Sequence, residues 1–175
     1  MFRIYGNPGL DTGTIFVMQS NGNYLTTHDV VVVAANYRLG QLGFLYGDRE
    51  DAPGNVGLYD QLLAFKWVRE NIHSFGKDRD QITIFGKSAG SWSVSAHILS
   101  PLSKGLFKRA IMESGSVMFG KVMEPITKSE ALVMAKNTAK HFNCSKSKDW
   151  LQCLREVDAK EFPKYRASIS IPEFQ

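Results

Sequence analysis

Residues Gly86-Lys87-Ser88-Ala89-Gly90 follow directly on Ile82-Thr83-Ile84-Phe85, so a serine flanked by two glycines stands where an apolar strand has to turn into a helix. Glycine two residues to either side removes the Cβ atoms that would block so sharp a turn, and the turn lifts the serine hydroxyl clear of the backbone. This is the sequence form of a nucleophile elbow. It fixes a strand-turn-helix unit at the middle of the fold and points to a hydrolase with Ser88 as nucleophile. A serine hydroxyl needs a base to take its proton, a group to orient that base, and donors for the oxyanion formed on attack.

The rest of the pattern agrees with a layered α/β architecture. Val30-Val31-Val32-Val33-Ala34-Ala35 is a continuous run that predicts a strand buried on both faces of a parallel sheet, and Ile82 to Phe85 and Ala110 to Met112 read the same way. Leu58, Leu62, Leu63, Phe65, Val68 and Ile72 recur near helical spacing after the Pro53-Gly54 break, which gives a βαβ crossover. A second helix is expected to begin after Ser88 and pass through Val94 and Ile98. It should end near Ser100-Pro101, since proline disfavours helix at the residue before it. Strand and helix alternating in this way predict an α/β domain with right-handed crossovers. Beyond Gly120 the character changes: Ser129 to Phe142 reads as a helix, followed by a cysteine loop and a mixed polar tail. The expected organisation is a sheet and elbow region over 1–120 and a helical region over 121–175.

With 175 residues, 43% hydrophobic and 22% charged, the chain has the makeup of one folded domain. Its formal charge of +4 is spread along the sequence without a basic block or a nucleic-acid motif, which argues against a nucleic-acid partner. No run of about 18 apolar residues is present, so no transmembrane helix is expected. Met1-Phe2-Arg3-Ile4-Tyr5-Gly6 opens on strand-like sequence with no signal-peptide core; the expectation is a cytosolic chain or one whose true beginning lies upstream. Cys144 and Cys153 are too far apart for a CxxC motif, leaving two free thiols or an intrachain disulfide as the alternatives. Asn143-Cys144-Ser145 is an N-glycosylation sequon at the edge of that loop.

Several ordered blocks together resemble the type-B carboxylesterases, the family that includes the cholinesterases. They are Asn36-Tyr37-Arg38-Leu39-Gly40-Gln41-Leu42-Gly43-Phe44-Leu45, Ala52-Pro53-Gly54-Asn55-Val56-Gly57-Leu58-Tyr59-Asp60-Gln61, Trp67-Val68-Arg69-Glu70-Asn71-Ile72, Phe75-Gly76, Ile82 to Gly90, and Leu99-Ser100-Pro101-Leu102-Ser103-Lys104-Gly105-Leu106-Phe107. The resemblance implies the N-terminal part of an α/β-hydrolase fold, a mostly parallel sheet flanked by helices that stops before the later strands. It implies Ser88 as nucleophile, the Ala89 amide as an oxyanion donor, and Arg38 with Asp60 as a buried structural ion pair. It also implies that Cys144 and Cys153 close a disulfide loop, which places the parent protein in a secreted or ER-folded class. The substrate implied is a small carboxylic ester, with no metal or organic cofactor.

Three departures from the family pattern bear on function. Family members are several times longer and carry the triad acid and histidine downstream, in segments this chain lacks. His97 stands nine residues along the helix from Ser88, about 13 Å at 1.5 Å per residue, and reads as a helix-face residue. His141 has no triad-like context, while His28 reads as a loop residue and His73 as a cation near a helix C-terminus. Glu113 and Glu124 follow the third strand and are candidates for the orienting acid, with ordinary surface carboxylates at a strand end as the alternative. Next, Asn7-Pro8 interrupts the place of the family's glycine-rich oxyanion loop. Proline has no amide hydrogen, and one lost oxyanion donor costs about 2.7–4 kcal/mol of transition-state stabilisation. Gly6 and Gly9 are the remaining candidates for those amides, with an ordinary Gly/Pro turn as the alternative. Finally, Lys87 stands where the family usually has glutamate, an acidic residue that in cholinesterases helps accept a cationic substrate. Lys87 therefore weighs against choline esters, unless it simply extends into solvent.

Two functions follow. One is a serine carboxylesterase, present as a fragment without its base. The other is a non-catalytic cholinesterase-like protein or inactive fragment with a binding or adhesion role; the intact elbow opposes it, and Lys87 and Pro8 favour it. A chain ending after the third strand is also expected to leave an unpaired sheet edge and an uncovered helix face, with marginal stability as the consequence.

Overall fold

The computed structural model describes residues 1–6, 10–11, 13–16, 22–118 and 126–168. In chain order its elements are β1 (Phe2–Ile4), α1 (Asn23–Thr26), β2 (Val33–Ala34), α2 (Gly40–Phe44), β3 (Tyr46–Arg49), β4 (Ala52–Pro53), α3 (Val56–Asn71), β5 (Thr83–Lys87), α4 (Ala89–Leu99), β6 (Arg109–Glu113), α5 (Lys128–His141), α6 (Trp150–Arg155) and α7 (Glu161–Ser168), with 3₁₀ turns at Ile72–Phe75 and Pro101–Ser103. The chain divides into two compact units, one of residues 1–37 and 58–120, the other of residues 38–57 and 121–175.

A parallel sheet of order β2-β1-β5-β6 is the frame of the first unit. Its two inner places belong to β5 and the short β1, in which Phe2 pairs with Val33 on one side and Ile84 on the other, and Ile4 pairs with Gly86. Phe2, Ile4 and Ile84 are buried to 2% exposure or less. The valine run corrects the sequence expectation. Only Val33–Ala34 forms a strand, half-buried at the edge of the described sheet rather than covered on both faces. Branched residues favour an extended chain, but pairing decides which strand is central, and that place is taken by Phe2–Ile4. The same correction applies to β6, an edge strand whose Ile111 and Met112 are exposed.

α3 turns Leu62, Phe65, Val68 and Ile72 inward, while Leu63, expected on that face, points outward with Tyr59 and Trp67. Phe65 lies at the centre, its ring edge-on to Phe2 at 4.9 Å and 4.7 Å from the His97 imidazole. Burial of a side chain of this size contributes about 1.5–3 kcal/mol. α4 ends at Leu99 before Ser100-Pro101, as expected. Seven of its residues are buried: Ala89, Gly90, Ser91, Ser93, Val94, Ser95 and His97. Small side chains on so many sides let the helix settle closely against the sheet, and the serines satisfy their own hydroxyls. Ser91 Oγ donates to the Gly115 carbonyl at 2.6 Å, and Ser95 Oγ meets Ser116 Oγ at 3.1 Å.

In the second unit α5 begins with a capping box: Thr127 Oγ1 accepts from the Glu130 amide, and the Glu130 carboxylate accepts from the Thr127 amide at 2.7 Å. The stretch expected as a mixed polar tail contains α6 and α7, whose apolar positions are too few and too short in run to show helical period. Asp149 caps α6 by accepting from the amides of Leu151 and Gln152, both at 3.1 Å. Cys144 and Cys153 form a disulfide with Cα atoms 5.6 Å apart, which resolves the choice left by the sequence. Around it Ala139, Cys144, Leu154 and Phe162 make a small core, covered by Leu45, Phe142, Trp150 and Val157. Gly43 and Gly57 close on the Arg38 carbonyl; a Cβ at either would stand 2.2 or 2.4 Å from that oxygen. That contact explains the glycines in the two motif blocks on either side of the β3-β4 hairpin. No helix among the described residues is long and apolar enough to cross a membrane.

The disulfide closes a loop of about ten residues, for which chain entropy predicts a stabilisation of about 2.5–3 kcal/mol. Urea unfolding of the chain with and without reductant is expected to show a loss of that size, and Cys153→Ala the same loss without reductant. An unchanged midpoint would mean that the small core holds this unit by itself.

Candidate active site

The site is built from the turn between β5 and α4. Ser88 occupies φ 53° and ψ −124°, a backbone region that costs a non-glycine residue on the order of 1–3 kcal/mol. Contacts on every side hold it there. The Ser88 amide donates to the Glu113 carbonyl at 2.8 Å, and the Ser88 carbonyl accepts from the Trp92 amide at 3.1 Å, closing the first turn of α4. Gly86 and Gly90 face each other with no room for a side chain: a Cβ on Gly86 would lie 2.5 Å from the Gly90 carbonyl carbon, and one on Gly90 would lie 2.3 Å from the Ile4 carbonyl oxygen. Ser88 is left exposed at the apex.

Gly6 belongs to the same contact. A Cβ there would stand 2.1 Å from the Gly90 nitrogen and 2.7 Å from the Ala89 carbonyl carbon, so the chain leaving β1 passes directly over the start of α4. Tyr5 and Tyr37 fix this passage. Both are buried, the Tyr37 hydroxyl donates to the Tyr5 carbonyl, and their rings lie 4.7 Å apart. Burial pushes both phenols up, so neither ionises near neutral pH. Ala89 is buried at the N-terminus of α4, where the first backbone amides have no acceptor inside the helix and the helix dipole favours negative charge. An oxyanion beside Ser88 would meet those amides. Gly9, the other proposed donor, lies outside the described residues, as do Asn7-Pro8 and Glu124.

His97, the histidine on the helix that follows Ser88, has both ring nitrogens committed elsewhere. His97 is buried, with Nδ1 2.8 Å from Ser103 Oγ and Nε2 3.0 Å from Gln61 Oε1. Gln61 passes the chain on, its Nε2 donating to Ser93 Oγ at 3.2 Å. Because Gln61 Oε1 can only accept, Nε2 carries the ring proton and Nδ1 accepts from Ser103. Both ring nitrogens are committed to this bridge between α3, α4 and the 101–103 turn. His141 stacks on Tyr165 at 4.2 Å in the second unit, and His28 and His73 are exposed on turns. Arg38 belongs to the second unit and is exposed rather than buried; Asp60 is half-buried in the first. Asn143 is exposed in the turn before Cys144. The sequence reading missed the Gln61–His97 bridge and the packing role of Gly6. The alternation of small polar residues at 91, 93 and 95 with His97 was the available signal for the bridge.

The carboxylesterase family model matches residues 1–173. This chain belongs to the carboxylesterase family. It is 47% identical over 161 residues to cholinesterase 1 of Branchiostoma lanceolatum, covering 89% of this chain and 44% of that protein. It is 46% identical over 166 residues to the cholinesterase of Mus musculus, covering 92% and 27%. Acetylcholinesterase of Gallus gallus is 54% identical over 115 residues, covering 65% and 15%. The chain therefore spans less than half the length of these relatives. Its parallel sheet flanked by helices is that of an α/β-hydrolase fold.

Within this carboxylesterase-family elbow, Lys87 and Ser88 are both exposed, and Lys87 stands in register with Glu113 on β6. The position before Ser88 thus carries a lysine at the C-terminal end of β5.

Two measurements probe the elbow. Gly90→Ala is expected to lower unfolding free energy by more than about 3 kcal/mol, because backbone must move to admit the methyl group. Gly105→Ala, at φ 79° with nothing within 4 Å, carries only the left-handed penalty of about 1–2 kcal/mol. Equal losses in thermal or urea unfolding would contradict the close approach. The second concerns pH. Burial holds the His97 imidazole down from 6.5 to about 4. Between those values the unfolded chain binds a proton that the folded chain refuses. The contribution is therefore complete above 6.5 and is lost as pH falls toward 4, on the order of 3 kcal/mol in total. The acid slope of unfolding free energy is expected to flatten in His97→Gln, and an unchanged slope would assign it to the carboxylates.

Proposed function

We propose that this chain is the nucleophile-bearing part of a serine carboxylic ester hydrolase. The observation that carries the reading is the strained, glycine-clamped conformation of Ser88 at the N-terminus of α4. Ser88 Oγ attacks the ester carbonyl, and the Ala89 amide, with Gly6 beside it, stabilises the oxyanion. The alcohol leaves, and water hydrolyses the acyl-enzyme to release the acid. Since both ring nitrogens of His97 are committed to Gln61 and Ser103, the base and its orienting acid are assigned to other parts of a longer protein, in keeping with the length of the relatives. The chemistry calls for no metal or cofactor. The disulfide and the adjacent sequon support a secretory or extracellular setting for that protein.

Incubation of the folded chain with a reactive organophosphonate ester, followed by mass spectrometry, tests the elbow. A single adduct on Ser88, lost in Ser88→Ala, is expected only where the oxyanion site and a base are present. The chain alone is therefore expected to react slowly and the longer protein fast. A longer protein that stays unlabelled would instead support a binding role without catalysis.

Lys87 deepens the reading toward neutral or anionic esters. Although the relatives above carry the name cholinesterase, a lysine ammonium close to the nucleophile repels a quaternary ammonium substrate, by about 1 kcal/mol at 4 Å in water and more in a shielded pocket. Lys87→Glu in the active longer protein is expected to raise kcat/KM for a choline ester about tenfold relative to its neutral isostere, a change of about 1.4 kcal/mol. An unaltered ratio would mean that Lys87 extends into solvent.

A further inference from the structure

We propose that Asn143 is an N-glycan acceptor whose occupancy is set by competition with closure of the Cys144–Cys153 disulfide. The sequon Asn143-Cys144-Ser145 has the disulfide cysteine as its middle residue. Asn143 and Ser145 are exposed, whereas Cys144 is fully buried. The folded turn therefore directs the acceptor outward and the cysteine inward, and a bulky polar glycan on Asn143 displaces no packed group.

The backbone of the same turn is closed. Asn143 sits at φ 58°, its amide donates to the Lys140 carbonyl at 3.2 Å, and the Cys144 amide donates to the Ala139 carbonyl at 2.7 Å. Ser147 N then donates to the Cys144 carbonyl at 3.0 Å. A sequon held in this way cannot extend into a transferase groove. Transfer has to precede closure: the Asn143 carboxamide nitrogen bonds to the anomeric carbon of a lipid-pyrophosphate-linked oligosaccharide, the carbon–oxygen bond to pyrophosphate breaks with its electron pair, and the amide gives up one proton. Cys153 follows Cys144 by nine residues, about a second of synthesis, and oxidation takes seconds or longer. Closure thus comes only after an interval in which Asn143 is still on an open chain, and competition between transfer and closure over that interval yields partial occupancy.

The inference rests on the secretory setting proposed above, and the test separates the two. The chain is expressed in a eukaryotic cell behind a cleavable secretory leader, with an appended acceptor tag whose glycosylation certifies entry into the lumen. Asn143 occupancy is read as the aspartate left by glycosidase, by peptide mass spectrometry, on total rather than secreted protein, so that misfolding does not hide the result. Expected are partial occupancy in the native sequence, a higher glycosylated fraction in Cys153→Ser, and loss in Ser145→Ala. With the tag glycosylated, an unmodified Asn143 in the native sequence overturns the assignment. Equal occupancy with and without Cys153 overturns the competition.

Discussion

The first unit depends on one close approach, backbone against backbone, where the end of β1 meets the start of α4. The Ile4 carbonyl occupies the space that side chains at 86 and 90 would need, Gly6 passes so close to Gly90 and Ala89 that it too has no room for one, and the sheet register that pairs Ile4 with Gly86 brings these segments together. The glycines flanking Ser88 therefore do more than permit a turn. They allow three chain segments to converge within van der Waals distance, and that convergence makes the conformation of Ser88 the cheapest one available. β1, one of the two inner strands, can be three residues long because its neighbours pair with both of its edges.

Fixing the elbow also requires the far end of α4 to be held, since a helix free to pivot would move its first turn. His97 supplies that anchor with two hydrogen bonds inside the core. A neutral imidazole suits the place: it accepts from Ser103 and donates to Gln61, and Phe65 packs on its ring. A charged one would face no carboxylate there. The same environment that makes His97 a good strut makes it a poor base, because burial disfavours its protonated form and both ring nitrogens are already committed to Gln61 and Ser103.

The periodic parts of the fold were legible in the sequence. The crossover helix, the helix after Ser88 and its stop at Ser100-Pro101, and the helix ending by Phe142 each carried a local signal that the structure follows. Strand placement was not legible, because Val30 to Val33 and Phe2 to Ile4 differ in pairing partners rather than in propensity. α6 and α7 escaped because their helical nature rests on the Asp149 cap and on packing around a disulfide, both of which need the fold to be known. At the site, Ser88 and Ala89 could be read from a motif, whereas the part played by Gly6 depended on a contact across more than 80 residues.

A serine at Ser88 is itself informative in energetic terms. At φ 53° a glycine would relieve strain worth on the order of 1–3 kcal/mol, and nothing in the contacts around the turn uses the serine side chain to hold the backbone. The clamp is made by Gly6, Gly86 and Gly90 and by the Glu113 and Trp92 backbone. The hydroxyl is thus carried at a cost the fold does not need, in the one place where it projects beside unsatisfied helix amides. The clamp separates two questions that a motif alone merges: how Ser88 is held, which the contacts at this turn answer, and what takes its proton, which belongs to the proposed reaction.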